Sequence, residues 1–330
     1  MAKYALLRRT IASLALLTNP FLAAQQSDAP SQSPLAAPVS TTKTHSIVIT
    51  AIKKKASESV LIPTDFEVKE DGNPATITEV QKLGRLPLHY CVVFDTNNSV
   101  ADSFKFRERE ATILLSKAVN PATDRGWLVI SGTAVLESPE TADPQSIIGS
   151  ITQQIPGTSS SVYDAMEGCL LRMLKANTEQ EFRAMLLFTE GENKPGHFAP
   201  TEVLDTALRS RTHIYVFSKM HDAMQSNDLF PSGPNWTNVP GPNVLGKLVL
   251  NLPGLDSPFT GGRMFESATN KQMESAIDQL SEDLQNLILV SYRPAGVAPD
   301  DHRHNIEVKP RVKGLSILAP MQYVPPAIAQ

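Results

Sequence analysis

Residues 88–95 (LHYCVVFD) form an apolar run that ends at a carboxylate, and this run constrains the fold more than any other feature of the chain. A continuous apolar stretch of this length is typical of a strand buried on both faces of a parallel α/β sheet. Ligands bind such sheets just beyond the carboxyl ends of their strands, where Asp95 is expected to lie. Asn97 and Ser99 follow at every second residue. Oxygen donors on such a loop suit Mg²⁺, Mn²⁺ or Ca²⁺, so the sequence predicts a cation site here.

Strand-like and helix-like segments alternate along the rest of the chain. Short apolar runs predict strands, and apolar residues at helical spacing with charges opposite them predict helices. The alternation predicts an α/β fold whose doubly wound, mostly parallel sheet is flanked by helices. The predicted strands after the first are 125–131, 134–138, 185–189, 212–218 and 286–292, and the predicted helices are 100–119, 143–155, 161–176, 200–210 and 270–284.

The first 24 residues have the layout of a secretory signal. Basic Lys3, Arg8 and Arg9 precede an apolar stretch that ends at the small residues Ala23 and Ala24. The stretch is too short for a bilayer span of about 20 residues, so we expect no membrane span in the mature chain. The protein is therefore expected to be secreted or periplasmic, or otherwise to reside in the cell envelope.

Four regions follow the predicted signal. Residues 25–43 are rich in Ser, Pro, Ala, Gln and Thr and are expected to form a disordered linker. Residues 44–84 fit a small β module, because Asp71-Gly72 between two strand-like runs is a hairpin signal. The main α/β domain spans 86–294, with a surface insertion at 221–262 that is rich in Pro, Gly and Asn. Residues 295–330 form a β tail that is expected to pair with the small β module.

Charge and cysteine content exclude some classes of function. Without the three basic residues of the signal, 27 Lys and Arg face 34 Asp and Glu, a net charge of −7. Nucleic acid is therefore an unfavourable partner. Cys91 and Cys169 are too few for a disulfide framework. A single bridge between them is possible in an exported protein, but two buried thiols are favoured.

Three segments together resemble a known family. The Asp-x-Asn-x-Ser sequence at 95–99, GTSSSVYDAM at 157–166 and RAMLLFTEGEN at 183–193 resemble the metal-ion-dependent adhesion site of von Willebrand factor type A (VWA) domains. The phrase LIPTDFEVKEDGNP at 61–74 is similar to the segment that precedes the type A domain in a secreted group of VWFA-related proteins typified in acidobacteria. The chain therefore resembles that group, with a degenerate site.

The resemblance implies a Rossmann-like VWA fold and a non-enzymatic binding or adhesion function. A divalent cation, Mg²⁺ or Mn²⁺ rather than Ca²⁺, would sit among neutral hydroxyls and amides and would bind an exposed carboxylate of a protein or peptide partner. Asn97 and Glu190 depart from the family's Ser and Asp. The implied site residues are Asp95, Asn97, Ser99, Ser160 and Glu190.

Several alternatives to cation-dependent binding of a partner remain open. Asp95 and Ser99 could cap the following helix, since both are favoured N-cap residues. The protein could then be a metal-independent interaction or scaffold protein of the cell envelope, using the loops and the 221–262 insertion. A hydrolase using a divalent ion and His197 as a base is a third hypothesis.

Two further motifs give weaker indications of a ligand site than the segments above. The stretch GPNVLGKL at 241–248 has the spacing of a phosphate loop, but Leu248 replaces the Ser or Thr that binds magnesium. His302 and His304 alternate on a predicted strand and could bind a metal, although an exposed polar face is favoured.

Overall fold

The computed structural model describes residues 44–53, 60–98, 102–176, 180–189, 196–218, 259–267, 269–295 and 302–324. The predicted signal, the predicted linker and residues 221–258 of the predicted insertion lie outside the described residues, as does the phosphate-loop spacing at 241–248. Two of the five predicted cation-site residues, Ser99 and Glu190, also lie outside them.

The described strands form two sheets. A six-stranded sheet has the order β6-β5-β4-β7-β8-β9, and a seven-stranded sheet has the order β12-β1-β10-β3-β2-β11-β13. The strands are β1 His45–Lys53, β2 Phe66–Glu70, β3 Asn73–Gly84, β4 Leu88–Asp95, β5 Arg125–Ser131, β6 Val135–Glu137, β7 Phe182–Phe188, β8 His213–Ser218, β9 Met264–Glu266, β10 Leu287–Arg293, β11 His304–Pro310, β12 Leu315–Leu318 and β13 Gln322–Tyr323.

The helices begin and end close to the predicted positions. Asp143 accepts a hydrogen bond from the Gln145 backbone N–H at 3.0 Å and so caps α2, with Pro144 in its first turn. Thr269 caps α5 in the same way, accepting from the Gln272 backbone N–H at 3.3 Å. The helices are α1 Ser103–Ala118, α2 Pro144–Thr152, α3 Val162–Lys175, α4 Pro200–Ser210 and α5 Asn270–Gln285. Among the described helices, none has both the length and the apolar character needed to cross a bilayer.

The six-stranded sheet is mostly parallel and is covered by helices on both faces. Strand β4 is its centre and pairs in parallel with β5 and β7, while β6 alone is antiparallel. Val92 and Phe94 point into a cluster that includes buried residues of α1, α2 and α5. Cys91 and Val93 point the other way, into a cluster with α3 and α4. A strand buried on both faces explains why its sequence is apolar throughout rather than alternating. The expected α/β fold is therefore confirmed for this part of the chain.

The seven-stranded sheet departs from the expectation of one doubly wound sheet. Its pairings are antiparallel, and it includes β10, which pairs with β1 and β3. The prediction that 286–292 completes the parallel sheet was wrong. A short apolar run does not show which sheet buries it, and β10 pairs instead with β1 and β3, which come from the N-terminal part of the described chain.

The N-terminal and C-terminal segments meet in this second sheet. Strands β2 and β3 form a hairpin in which Asp71 and Gly72 have φ values of 49° and 79°, as a turn of this tightness requires. From the C-terminal tail, β11 pairs with β2 and β12 pairs with β1.

Candidate functional site

Each parallel strand of the six-stranded sheet has a buried oxygen-bearing side chain at its last residue or at the residue directly after it. In a parallel sheet the carboxyl ends of the strands share one edge, where ligands commonly bind. Asp95 lies opposite Ser131 in the register of β4 and β5. The five side chains at the ends of the parallel strands are all 0–1% exposed: Asp95, Ser131, Thr189, Ser218 and Ser267. Sequence reasoning identified only Asp95, because a single hydroxyl after a strand is too common to stand out.

The Asp95 carboxylate is fully buried and held at both oxygens. Its Oδ1 accepts a hydrogen bond from the Asn97 backbone N–H at 2.8 Å, and its Oδ2 accepts one from the Thr189 hydroxyl at 2.7 Å. Burial raises the pKa of Asp95 above its ordinary value, while the nearby Arg107 charge and these hydrogen bonds oppose the rise. Each carboxylate oxygen can accept more than one hydrogen bond, so Asp95 can still orient bound water or a neighbouring hydroxyl.

Asp95 does not cap the following helix. The side chain at the N-terminus of α1 is that of Asn98, whose Oδ1 accepts from the Phe104 backbone N–H at 3.2 Å and from the Ser103 hydroxyl at 3.3 Å. The described contacts therefore give no support to Asp95 as a helix cap, and Ser99, the other residue of that alternative, lies outside the described residues.

Ser160 reaches Asp95 because two loops are joined by backbone hydrogen bonds. The Gly157 N–H donates to the Thr96 carbonyl at 2.7 Å, and the Asn98 N–H donates to the Gly157 carbonyl at 3.1 Å. The Ser160 hydroxyl is 1% exposed and lies close enough to Asp95 to favour the charged carboxylate. Within the described part of the chain, its oxygen has no partner with full hydrogen-bond geometry. A buried hydroxyl in that position calls for a ligand or a bound water.

A buried arginine, which sequence reasoning missed, lies beside the same carboxylate. Arg107 on α1 is 1% exposed, and it donates to the Asn97 carbonyl and, at 3.3 Å, to the Ser103 hydroxyl. Its positive charge favours the ionised form of Asp95. The sequence predicts that the charged residues of this helix face solvent. That prediction was wrong for Arg107, which is buried.

The polar interior continues along α1 to Glu110, one helical turn beyond Arg107. Glu110 is 1% exposed, and burial raises its pKa from an ordinary 4.5 to about 7. The Ser267 hydroxyl and the Arg107 charge oppose that rise without cancelling it. The edge of the sheet therefore contains two buried carboxyl groups with one arginine near both.

The structure brings together three of the five predicted cation-site residues. Asp95, Asn97 and Ser160 lie at one edge of the sheet, and Thr189, which immediately precedes Glu190, contacts Asp95 directly. Carboxylate, amide and hydroxyl oxygens are the donors that Mg²⁺ and Mn²⁺ prefer. The Ser160 hydroxyl is buried beside the Asp95 carboxylate, and among the described residues it has no partner with full hydrogen-bond geometry, so these donors fit a hard cation.

His197 belongs to a separate group of contacts. Its Nδ1 lies 2.9 Å from Asp164 Oδ2 on α3, and the same carboxylate accepts from the backbone N–H of His197 and Phe198 at 2.8 and 3.1 Å. Burial of Asp164 tends to raise its pKa, but these bonds outweigh it and lower the pKa overall. With a side chain that is 92% exposed, His197 acts as a partner of Asp164 at the start of α3.

No protein-family profile matches the sequence, and no curated protein matches it. Solved structures similar to the chain include an aerotolerance-related membrane protein from Bacteroides fragilis, at 17% identity over 40% of this chain and 67% of that chain, with a TM-score of 0.34. Proximal thread matrix protein 1 from the mussel byssus, described with zinc in its MIDAS motif, matches at 12% identity over 63% of this chain and 48% of its own, with a TM-score of 0.41. The von Willebrand factor domain of a type V pilus tip protein from Porphyromonas gingivalis matches at 15% identity over 33% and 39%, with a TM-score of 0.28. These similarities are remote.

Proposed function

We propose that this protein binds an acidic group of a protein or peptide partner through a divalent cation held beside Asp95. The observation that carries the proposal is the buried Asp95 carboxylate beside the buried Ser160 hydroxyl, which favours the charged carboxylate but has no partner with full hydrogen-bond geometry among the described residues. Both lie at the carboxyl edge of the parallel sheet, where this fold class binds its ligands. Asn97 is the third member, and Ser99 and Glu190 are proposed to complete the set.

The proposed division of roles follows from charge and hydrogen bonding. A bound Mg²⁺ or Mn²⁺ would supply an electrophilic contact for the partner's carboxylate. Ser160 offers it a neutral oxygen, and Asp95 orients water and hydroxyl groups while its own oxygens are held by Asn97 and Thr189. Because most of these donors are neutral, a cation here would remain under-neutralised and would favour one further anionic oxygen.

A second candidate function is metal-independent binding by the same edge of the fold. The observation in its favour is Arg107, whose buried guanidinium already favours the charged form of Asp95 without any metal. A cation close to Arg107 would experience like-charge repulsion, which lowers its affinity. In this candidate the loops at the edge bind a partner directly, and chelators have no effect.

We propose no catalytic activity for either candidate. A hydrolase would need a nucleophile or activated water with a base in reach, and the contacts of His197 are with Asp164. Export through the N-terminal segment, to the envelope or the medium, is part of the same proposal.

The proposed function can be tested with Mn²⁺ and a minimal acidic ligand. Bound Mn²⁺ with an open position relaxes the water protons that exchange through it. We expect the chelator-treated mature chain to bind Mn²⁺ and acetate to displace part of the bound water, whereas acetamide, which has the same shape without the charge, does not. Asp95→Ala and Ser160→Ala should weaken Mn²⁺ binding, and Ser150→Ala, which changes a partly exposed serine on α2, should not.

Two results would contradict the cation-dependent function. One is the absence of Mn²⁺ binding by the folded chain. The other is a relaxation signal that acetate and acetamide change equally, because the cation would then not select an anionic oxygen.

A further inference from the structure

A second group of metal-binding side chains lies in the seven-stranded sheet. Glu70 ends β2, Asp71 begins the hairpin turn, and His304 begins β11. One ligand atom from each residue lies within 4.8 Å of the others. His304 is 4% exposed, so the sequence-based preference for an exposed face was wrong at this position. Pairing of β11 with β2 brings the histidine to carboxylates more than 200 positions earlier in the chain.

The distances suit coordination by one ion. His304 Nδ1 lies 2.8 Å from Asp71 Oδ2 and 3.7 Å from Glu70 Oε1. Donors around a tetrahedral zinc ion lie about 3.3 Å apart, because Zn–N and Zn–O bonds are about 2.0–2.2 Å. The observed separations lie on both sides of that value, so small side-chain shifts would bring all three donors into place.

Each carboxylate is held at one oxygen by the protein and turns its other oxygen toward His304. Tyr292 and Tyr323 donate to Glu70 Oε2 at 2.8 and 3.3 Å. The Asn305 backbone N–H donates to Asp71 Oδ1 at 2.9 Å. Hydrogen bonds of this kind fix the orientation of metal ligands and reduce the entropy lost on binding.

One carboxylate oxygen in this group is buried without a hydrogen-bond partner among the described residues, and the ring of His304 lies 3.7 Å from it. Glu70 is 1% exposed, and its Oε1 has no hydrogen-bond partner among the residues the structure describes. The desolvation of such an oxygen is costly unless a cation or a donor is present. His45 Nδ1 lies 3.3 Å from the other oxygen, Oε2, and so does not satisfy Oε1.

We propose that Glu70, Asp71 and His304 bind a single Zn²⁺ ion, with a water molecule as the fourth ligand. One imidazole and two carboxylates suit zinc better than magnesium, because nitrogen donors favour transition metals. The two carboxylates neutralise a divalent charge in this buried setting. The Asp71 side chain is 37% exposed, which gives water and the ion a route to the site. Bound zinc would fasten the C-terminal strand β11 to the β2–β3 hairpin.

The test measures zinc uptake by the full mature chain. After treatment with chelator, the chain is dialysed against Zn²⁺ and its metal content is measured, and Co²⁺ is used in a parallel sample for its visible spectrum. We expect one Zn²⁺ per chain and a Co²⁺ spectrum that indicates nitrogen and oxygen donors.

Two variants and one control locate the site. Glu70→Gln retains an acceptor for Tyr292 and is expected to fold, and His304→Asn removes the imidazole. Each should weaken zinc binding by at least about tenfold. Glu67→Gln, which changes a partly exposed carboxylate on the same strand, should bind zinc as the unmodified chain does.

The proposal is overturned if the folded, unmodified chain takes up no zinc. It is also overturned if a folded Glu70→Gln chain binds zinc as tightly as the unmodified one. Neither result affects the cation site proposed at Asp95, which is tested with different residues and a different metal.

Discussion

Replacement of Glu110 by glutamine should stabilise the protein at neutral and alkaline pH. Glu110 lies on the buried face of α1, and burial raises its pKa from 4.5 to about 7 despite the opposing Ser267 hydroxyl and Arg107 charge. The folded protein therefore binds this proton more tightly than the unfolded chain does. As the pH rises from 4.5 to about 7, the contribution of Glu110 to the free energy of unfolding falls, and above that range it is constant.

The size of the effect follows from the shift in pKa. The rise in the Glu110 pKa from 4.5 to about 7 corresponds to roughly 3 kcal/mol of unfolding free energy, since each pH unit of difference contributes about 1.4 kcal/mol. Glutamine has nearly the same shape and carries no charge at any pH. Glu110→Gln should therefore match the unmodified chain at pH 4.5 and be about 3 kcal/mol more stable at pH 8.

The assay is urea unfolding of both chains across this pH range. Burial also raises the pKa of Asp283 to about 6 and lowers that of His213 to about 4, so the profile of either chain alone is composite. The difference between the two curves isolates Glu110. Glu108→Gln on the same helix is the control, because Glu108 is paired with Lys105 at 2.7 Å nearer the surface. A difference curve that stays flat, or a Glu110→Gln chain that is less stable at pH 8, would refute the reasoning.

Three further predictions concern other buried groups. Arg107→Met should lower the free energy of unfolding by about 3–5 kcal/mol, because Asp95 and Glu110 lose their nearby positive charge. Because Arg107 would repel a cation beside Asp95, added Mg²⁺ should raise the melting temperature of Arg107→Met more than that of the unmodified chain. An equal rise in both chains would contradict this prediction. Cys91 and Cys169 are buried, and burial raises the pKa of both thiols. Mass spectrometry should show neither thiol alkylated by iodoacetamide in the folded chain and both alkylated in urea. Gly262→Ala should cost at least about 2 kcal/mol in urea unfolding, because its Cβ would lie 1.9 Å from the Ile214 carbonyl oxygen.

Much of the fold can be predicted from local sequence signals. The apolar run ending at Asp95, the capping pair Asp143-Pro144 and the Asp71-Gly72 turn each encode their structure within a few residues, and each has the predicted structure. The location of β10 is different, because its partners β1 and β3 lie more than 200 residues earlier. Pairing at such distances depends on the whole fold, so a local apolar pattern cannot specify it.

At the candidate site, too, the residues in short sequence motifs were predicted, whereas the residues whose burial depends on distant partners were not. Asp95, Asn97 and Ser160 belong to short recognisable segments, and the structure brings them together. Arg107 was missed because charges on an amphipathic helix are usually solvated. His304 was recognised as a possible metal ligand, but its burial was missed because that burial depends on Glu70 and Asp71. Buried charges of this kind are apparent only when their partners are known.

The central claim is that a cation binds beside Asp95. It is tested most directly by calorimetric titration of Mg²⁺ and Mn²⁺ into the chelator-treated mature chain. That chain carries Glu70→Gln, which removes one ligand of the zinc site proposed at Glu70, Asp71 and His304. The same titration is repeated with Asp95→Ala added. We predict saturable binding at a single site in the first chain and its loss in the second. No heat at millimolar metal together with an unchanged melting temperature, or heat that survives the loss of Asp95, would contradict the claim.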